Sequence, residues 1–186
     1  MTPLQKTAMG FVLILLDPVF FGYDAVPDFL GWLMILAGTW DLRPNLGQRF
    51  STLFFMGVVS LLLSVVTFVP VVAQSLTPSG GWFVSLPQLV FMGLLCLGIA
   101  DLSSSAEPDQ SATRRRFRML VWALAVVAAI PVIVFAAELE SIAPVAAAVA
   151  VGVLIFFIYA LFRISKQDYV RPSPVTASGD DEGPLP

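Results

Sequence analysis

The positively charged residues of this chain are confined to alternate connections between apolar segments. The sequence contains six apolar segments. Positive charge occurs in the N-terminal stretch before the first segment, in the connections that follow the second and fourth segments, and in the tail after the sixth. These stretches contain all ten Lys and Arg residues: Lys6, Arg43, Arg49, Arg114, Arg115, Arg116, Arg118, Arg163, Lys166 and Arg171. Cytoplasmic connections retain Lys and Arg because translocating them across a membrane is disfavoured. The pattern predicts a polytopic membrane protein with both termini in the cytoplasm.

The apolar segments are long enough for a helical bundle but leave no room for a soluble domain. Hydrophobic residues make up 58% and charged residues 12% of the chain, against roughly 45–50% and 25% in soluble domains. A membrane-spanning helix needs roughly 20 apolar residues. The sequence predicts an all-α fold with six transmembrane helices in residues 1–166. Their approximate bounds are 7–23, 27–40, 51–74, 82–100, 117–137 and 143–162. Residues 167–186, rich in Pro, Ser, Gly and Asp, are expected to form a disordered cytoplasmic tail.

The composition also removes several chemistries. The chain has no His and a single Cys, Cys96. Imidazole bases, His-ligated metals and Cys metal cages are therefore excluded. We expect no cofactor, no metal and no enzymatic activity. The basic residues are accounted for by topology, so they do not indicate a nucleic-acid partner.

Prolines suggest three helical hairpins in parallel orientation. A shift of 60 residues aligns Pro27 with Pro87, and Gly-x-x-Asp-Leu at 38–42 with the same pattern at 98–102. Parallel repeats occur in several transporter families, but chance also explains part of this similarity. The odd-numbered helices carry internal prolines that should kink them in their outer halves, at Pro18, Pro70 and Pro131. Such kinks either open a cavity or are packed shut by neighbouring helices.

Carboxylates near the outer end of the first hairpin are the candidate ion or substrate site. Asp17 lies about 10 Å below the turn at Asp24, inside the hydrocarbon region, where a charged Asp costs roughly 2.5–3.5 kcal/mol. It is either a structural hydrogen-bonding residue or part of a wet cation-handling site. Asp28 follows Pro27 and suits the first turn of a helix. If the hairpins pack symmetrically, Gln88 could join Asp17, Asp24 and Asp28.

The cytoplasmic side carries candidate headgroup contacts. Arg114, Arg115, Arg116 and Arg118 cluster before the fifth helix. Such a cluster fixes topology and also binds anionic lipids, and the two roles are compatible. Asp41 and Asp101 end helices at this side and oppose the helix dipole, so we expect nearby arginines, especially Arg43, to compensate them.

Small and aromatic residues predict local packing. Ala125 with Ala129, Ala146 with Ala150, and Ala148 with Gly152 stand at small-xxx-small spacing, which favours tight packing of the fifth and sixth helices. Trp32, Trp40 and Trp82 are expected at the membrane interfaces.

The first hairpin contains the motif Pro27-Asp28-Phe29-Leu30-Gly31-Trp32. This stretch, within residues 26–38, resembles a family of small, uncharacterised multi-pass membrane proteins of bacteria that carry Pro-Asp-Phe-x-Gly followed by an aromatic residue. The resemblance covers about 40 residues of this chain. It implies the bacterial plasma (inner) membrane and implies no activity.

Two functions remain open from the sequence. The first is a non-enzymatic accessory or scaffold membrane protein, with a protein partner or a second copy of itself. The alternative is a small transporter or channel that uses the carboxylate site near the outer leaflet. In both cases the lipid bilayer is a partner, and anionic lipids are candidate ligands.

Substitutions at Asp17 separate the two roles of that residue. As a structural hydrogen-bonding group, Asp17→Leu should lower the free energy of unfolding by about 1–2 kcal/mol, whereas Asp17→Asn should be tolerated because Asn still forms hydrogen bonds. As a transport site, Asp17→Asn should abolish transport and leave assembly intact. Thermal unfolding in detergent and uptake into vesicles measure the two effects. An unchanged melting temperature for Asp17→Leu excludes the structural role.

Overall fold

The computed structural model describes residues 1–16, 19–20, 23–24, 27–106, 111–136 and 143–166. Within these ranges the chain forms eight helices and one pair of two-residue strands. The helices are α1 Pro3–Leu16, α2 Asp28–Asp41, α3 Arg43–Leu46, α4 Arg49–Thr67, α5 Pro70–Ser75, α6 Pro78–Ala106, α7 Ser111–Ala136 and α8 Ala143–Ile164. The strands are β1 Val19–Phe20 and β2 Tyr23–Asp24, which pair antiparallel. The predicted all-α class is confirmed, and the predicted tail at 167–186 lies outside the described residues.

Four of these helices are long and apolar enough to cross a membrane. They comprise α4, α8 and the greater part of α6 and α7. Their outward faces expose large apolar side chains, including Phe55, Leu62, Trp122, Ile133 and Ile155. Water-exposed proteins rarely present apolar surface on this scale. The structure therefore indicates a membrane protein.

The first helix ends earlier than the sequence predicts. Helix α1 ends at Leu16, and the following residues pair through Val19 with Asp24 and Phe20 with Tyr23. The prediction of a helix over residues 7–23 is wrong in this part. Pro18, which itself lies outside the described residues, disfavours helical backbone at the residue before it. At the other end α1 begins earlier than expected, at Pro3, which is tolerated in a first helical turn.

The remaining prolines act in different ways. Pro27 caps the start of α2, and Pro144 lies in the first turn of α8, where its missing N–H costs nothing. Pro70 begins α5 after α4 has ended at Thr67, so the third predicted segment is divided there. Pro131 and Pro87 lie inside α7 and α6, which continue through them. Pro87 therefore does not occupy the helix-starting position of Pro27 that the repeat predicts.

The six longer helices form a closed ring in chain order. Each of α1, α2, α4, α6, α7 and α8 packs against the next, and α8 closes the ring against α1. Four aromatic side chains fill the interior: Phe11 of α1, Trp32 of α2, Phe91 of α6 and Phe157 of α8, each no more than 2% exposed. The Phe11 ring meets the Phe157 ring edge-on at 5.2 Å, and the Trp32 ring meets the Phe91 ring at 5.5 Å. The expectation that Trp32 lies at an interface is wrong, because the centre of this ring is an aromatic core.

Glycines bring the backbones of α1 and α2 into direct contact. A Cβ on Gly10 would lie 2.5 Å from the carbonyl oxygen of Gly31, and a Cβ on Gly31 would lie 2.6 Å from Cγ1 of Ile14. Further along, a Cβ on Gly38 would overlap the Thr7 side chain. Only residues without a Cβ permit this approach. The pairing of Gly10 with Gly31 and of Thr7 with Gly38 also shows that the two helices run in opposite directions.

Adding a methyl group at this contact should separate α1 from α2. We expect Gly10→Ala to lower the free energy of unfolding by about 1–3 kcal/mol, since the nearest obstruction is rigid backbone. Gly152→Ala is the matched control, because no heavy atom lies within 4 Å of its Cβ position. It should leave stability unchanged or raise it slightly through helix propensity. Unfolding by SDS in mixed micelles gives both values, and equal losses for the two variants contradict the assignment.

Candidate functional site

The structure describes only some of the residues of the predicted carboxylate site. Asp28 is exposed in the first turn of α2, as the sequence indicates. Asp24 lies in β2, where its backbone pairs with Val19, and Asp17 lies outside the described residues. Gln88 is half-buried on α6 and lines a cavity whose wall does not include Asp28. The convergence of Asp17, Asp24, Asp28 and Gln88 therefore stays a prediction.

Gln88 lines a sizeable cavity between helices of the bundle. It has a volume of about 580 Å³ and lies between the start of α6, the end of α7 and the start of α8. Its wall is mainly aliphatic and includes Met92, Leu124, Ile130 and Leu154. Ser85 and Gln88 supply polar side chains to this wall. A mostly apolar cavity with a few polar groups is typical of binding sites for apolar ligands or side chains.

A hydrogen bond joins α6 to α7 at the edge of this cavity. The Trp82 Nε1–H donates to the carbonyl oxygen of Ala128 at 3.1 Å. Ala128 lies in the turn that precedes Pro131. The carbonyl that loses its helical donor to Pro131 is that of Val127, so the bond from Trp82 is additional to the helical pattern. The polar tip of Trp82 is satisfied by this contact while its ring lines the cavity. Trp82 thus holds the two walls together.

Small residues leave the cavity open rather than closing it. Ala146 and Ala150 lie on its wall. Ala148 and Gly152 face outward, and no heavy atom lies near the Cβ position of Gly152. The expectation that alanines and glycines pack α7 tightly against α8 is therefore wrong here, because α7 makes its extensive contact with α6. The tight glycine contact is instead that of α1 with α2.

Charged residues meet at one end of the ring, here called the basic end and marked by Lys6, Arg49, Arg116 and Arg163. Lys6 Nζ lies 2.6 Å from Oδ2 of Asp41, which joins the start of α1 to the end of α2. The same distance separates an Arg49 guanidinium nitrogen from Oδ2 of Asp101, which joins the start of α4 to the end of α6. Asp41 and Asp101, which lie near the C-terminal ends of α2 and α6, are thus each compensated by a positive charge.

The sequence favoured Arg43 as the partner of Asp41, but the structure pairs Asp41 with Lys6. Arg43 does not supply the compensating charge; its guanidinium lies over the Trp40 ring at 5.4 Å and near Phe50 at 5.7 Å. Stacking on aromatic faces is a favourable use of the planar guanidinium. Trp40 is 52% exposed at this end, which agrees with the interfacial position expected for it. Sequence spacing favoured Arg43, whereas helix packing brought Lys6 to Asp41.

Arginines of the predicted headgroup cluster lie at the start of α7. Arg114, Arg115, Arg116 and Arg118 are all exposed. Arg116 differs from the others because it lines a pocket of about 260 Å³ together with Arg163 and Tyr159 of α8. The sequence indicated the cluster but not this pairing, since Arg163 lies at the far end of another helix. Its position in the last turn of α8 was the available signal.

Comparison with known proteins adds no assignment. No known protein family, curated protein or solved structure matches this chain.

Proposed function

We propose that this protein is a non-enzymatic integral membrane protein that serves as an accessory or scaffold subunit. The observation that carries the proposal is the apolar cavity of about 580 Å³ between α6, α7 and α8. A partner's transmembrane segment could place apolar side chains in it, with a polar group meeting Gln88 or Ser85. The Phe11–Trp32–Phe91–Phe157 core supports a binding role over conduction, because it fills the ring where a central pathway would run.

We further propose six membrane crossings in the bacterial plasma membrane, arranged as three hairpins with both termini cytoplasmic. Helices α1 and α2 have 14 residues each, about 21 Å of helix, which is short for a hydrocarbon core of roughly 30 Å. The paired strands β1 and β2 and the residues before α1 extend this hairpin. Non-helical backbone at membrane depth is acceptable where neighbouring protein covers it. The basic end supports the orientation, since Lys and Arg remain cytoplasmic.

A transporter or channel is the second candidate. What favours it is the position of Asp24 in β2 and Asp28 in the first turn of α2, four residues apart and at the end opposite Lys6 and Asp41. Two carboxylates there would attract cations. The Asp17 substitutions given above distinguish this candidate from the accessory role, because only a transporter loses uptake while its assembly is intact.

Orientation can be measured with two matched cysteines. In a Cys96→Ala background, Ser79→Cys reports the start of α6 and Ser111→Cys the start of α7; both serines are exposed. A membrane-impermeant thiol reagent added to intact cells should label position 79 and leave position 111 unlabelled until the membrane is permeabilised. The reverse pattern overturns the proposed orientation, and labelling of both from outside overturns the crossing between them.

A large side chain that fills the cavity should prevent a partner protein from binding there. Ala146→Phe places a ring into the open volume, whereas Ala148→Phe places the same ring on the outward face of α8. We expect the Ala146 variant to reduce co-purification of a fixed-ratio partner by about tenfold, which corresponds to 1.4 kcal/mol. The Ala148 variant should retain the partner.

Quantitative cross-linking in membranes, normalised to the amount of folded protein, gives this ratio. If the Ala148 variant loses the partner and the Ala146 variant keeps it, the outer face of α8 is the interface and the cavity is not. A cross-linked species of twice the chain mass would identify the partner as a second copy.

A further inference from the structure

Two arginines from different helices share one pocket at the basic end. Arg116 lies near the start of α7 and Arg163 in the last turn of α8, and both line the pocket of about 260 Å³. Thr113 and Tyr159, which carry hydroxyl groups, line the same pocket. Tertiary packing has therefore brought two arginines and two hydroxyl-bearing residues around a space large enough for a small anionic group.

These groups suit a phosphate. A guanidinium presents parallel N–H donors that match two phosphate oxygens, and charge-assisted hydrogen bonds of this kind are stronger than neutral ones. Thr113 is the third residue of α7, so unpaired N–H groups of the first turn lie close by. The positive end of the helix dipole adds to the attraction for an anion. The last turn of α8, which also lines the pocket, presents the negative end of its own helix dipole, and Arg163 offsets it. The two guanidinium groups therefore carry the attraction for an anion.

Part of the remaining wall is apolar and exposed on the outer face of α8. Phe156 is 50% exposed and Tyr159 is 56% exposed, and Ala160 lies between them and Arg163 along α8. A free phosphate ion gains nothing from an apolar surface. A phospholipid uses both parts, since its phosphate meets the arginines at the membrane surface while its acyl chain lies along Phe156 toward the hydrocarbon.

Three other cations at the basic end are already engaged within the bundle. Lys6 pairs with Asp41, Arg49 pairs with Asp101, and Arg43 lies over Trp40. Within the part of the chain that the structure describes, Arg116 and Arg163 form no salt bridge with a carboxylate. Within these ranges, neither guanidinium group is neutralised by a carboxylate.

We propose that Arg116, Arg163, Thr113 and Tyr159 form a specific binding site for the phosphate of an anionic phospholipid. The proposal rests on membrane insertion with the basic end at the headgroup level, but it does not depend on a partner in the cavity between α6, α7 and α8. It narrows the general attraction of the arginine cluster to one pocket and adds residues of α8 to it.

The decisive comparison uses two double variants of equal charge. Arg116→Gln with Arg163→Gln removes both guanidinium groups from the pocket. Arg114→Gln with Arg115→Gln removes the same charge from exposed positions that do not line it. All four arginines are exposed, so both proteins should fold, and a monodisperse elution profile in detergent checks this.

Native mass spectrometry of the full-length protein, titrated with phosphatidylglycerol and with phosphatidylcholine, measures binding. We expect the Arg116/Arg163 double variant to bind phosphatidylglycerol at least about tenfold more weakly, as the loss of charge-assisted hydrogen bonds implies. The Arg114/Arg115 double variant should bind within about threefold of the unaltered protein, and phosphatidylcholine binding should be weak in all three. Equal losses in the two double variants would mean diffuse charge attraction and overturn the site.

Two further measurements test the identity of the occupant. Inorganic phosphate at millimolar concentration should fail to displace phosphatidylglycerol; efficient displacement would mean a phosphate-ion site without lipid specificity. Asp180→Asn, Asp181→Asn and Glu182→Gln together neutralise an acidic run of the tail. If phosphatidylglycerol binds only after this change, the tail is the natural occupant of the pocket and the lipid assignment is wrong.

Discussion

The direct backbone contact of α1 with α2 is the constraint on which the rest of the bundle depends. Gly10 and Gly31 allow these short helices to approach until a carbonyl of one meets the backbone of the other. At this separation Phe11 and Trp32 point to the same interior and meet Phe91 and Phe157 from α6 and α8. Lipid tails are as apolar as the side chains, so close van der Waals packing rather than hydrophobic burial holds membrane helices together. Glycine supplies that packing here.

Polar groups are distributed so that the apolar interior carries little unpaired polarity. The buried hydroxyls of Thr7 and Thr39 donate to carbonyl oxygens one turn earlier in their own helices, at 3.2 and 2.8 Å. The two described salt bridges, Lys6–Asp41 and Arg49–Asp101, lie at the basic end and are each partly exposed. Pairs of this kind contribute little stability. They join the start of α1 to the end of α2 and the start of α4 to the end of α6, at ends that helix packing has already brought together.

The two spaces between helices differ in chemistry because they lie at opposite ends of α7 and α8. Near the start of α8 the wall consists of small and aliphatic residues, with Gln88 and Ser85 as polar points. Near its end the wall carries Arg116 and Arg163 above the exposed ring of Phe156. The same pair of helices thus presents an apolar surface at one level and a cationic surface at the other. The bilayer imposes this division, because only its surface tolerates unpaired charge.

The sequence by itself determined the all-α class of the protein and its apolar segments, four of which the structure shows as helices long and apolar enough to cross a membrane. Length and hydropathy decide these properties locally, and they hold whatever the helices contact. The 27–38 motif contains Gly31 and Gly38, but the sequence did not predict that they allow the close contact of α1 with α2. Only the tertiary structure decided that Trp32 is core, that Lys6 rather than Arg43 meets Asp41, and that Arg163 joins Arg116. Each depends on which helix faces which neighbour. The fit of side chains across the bundle decides which helices are neighbours, and the periodicity of a single segment does not predict it.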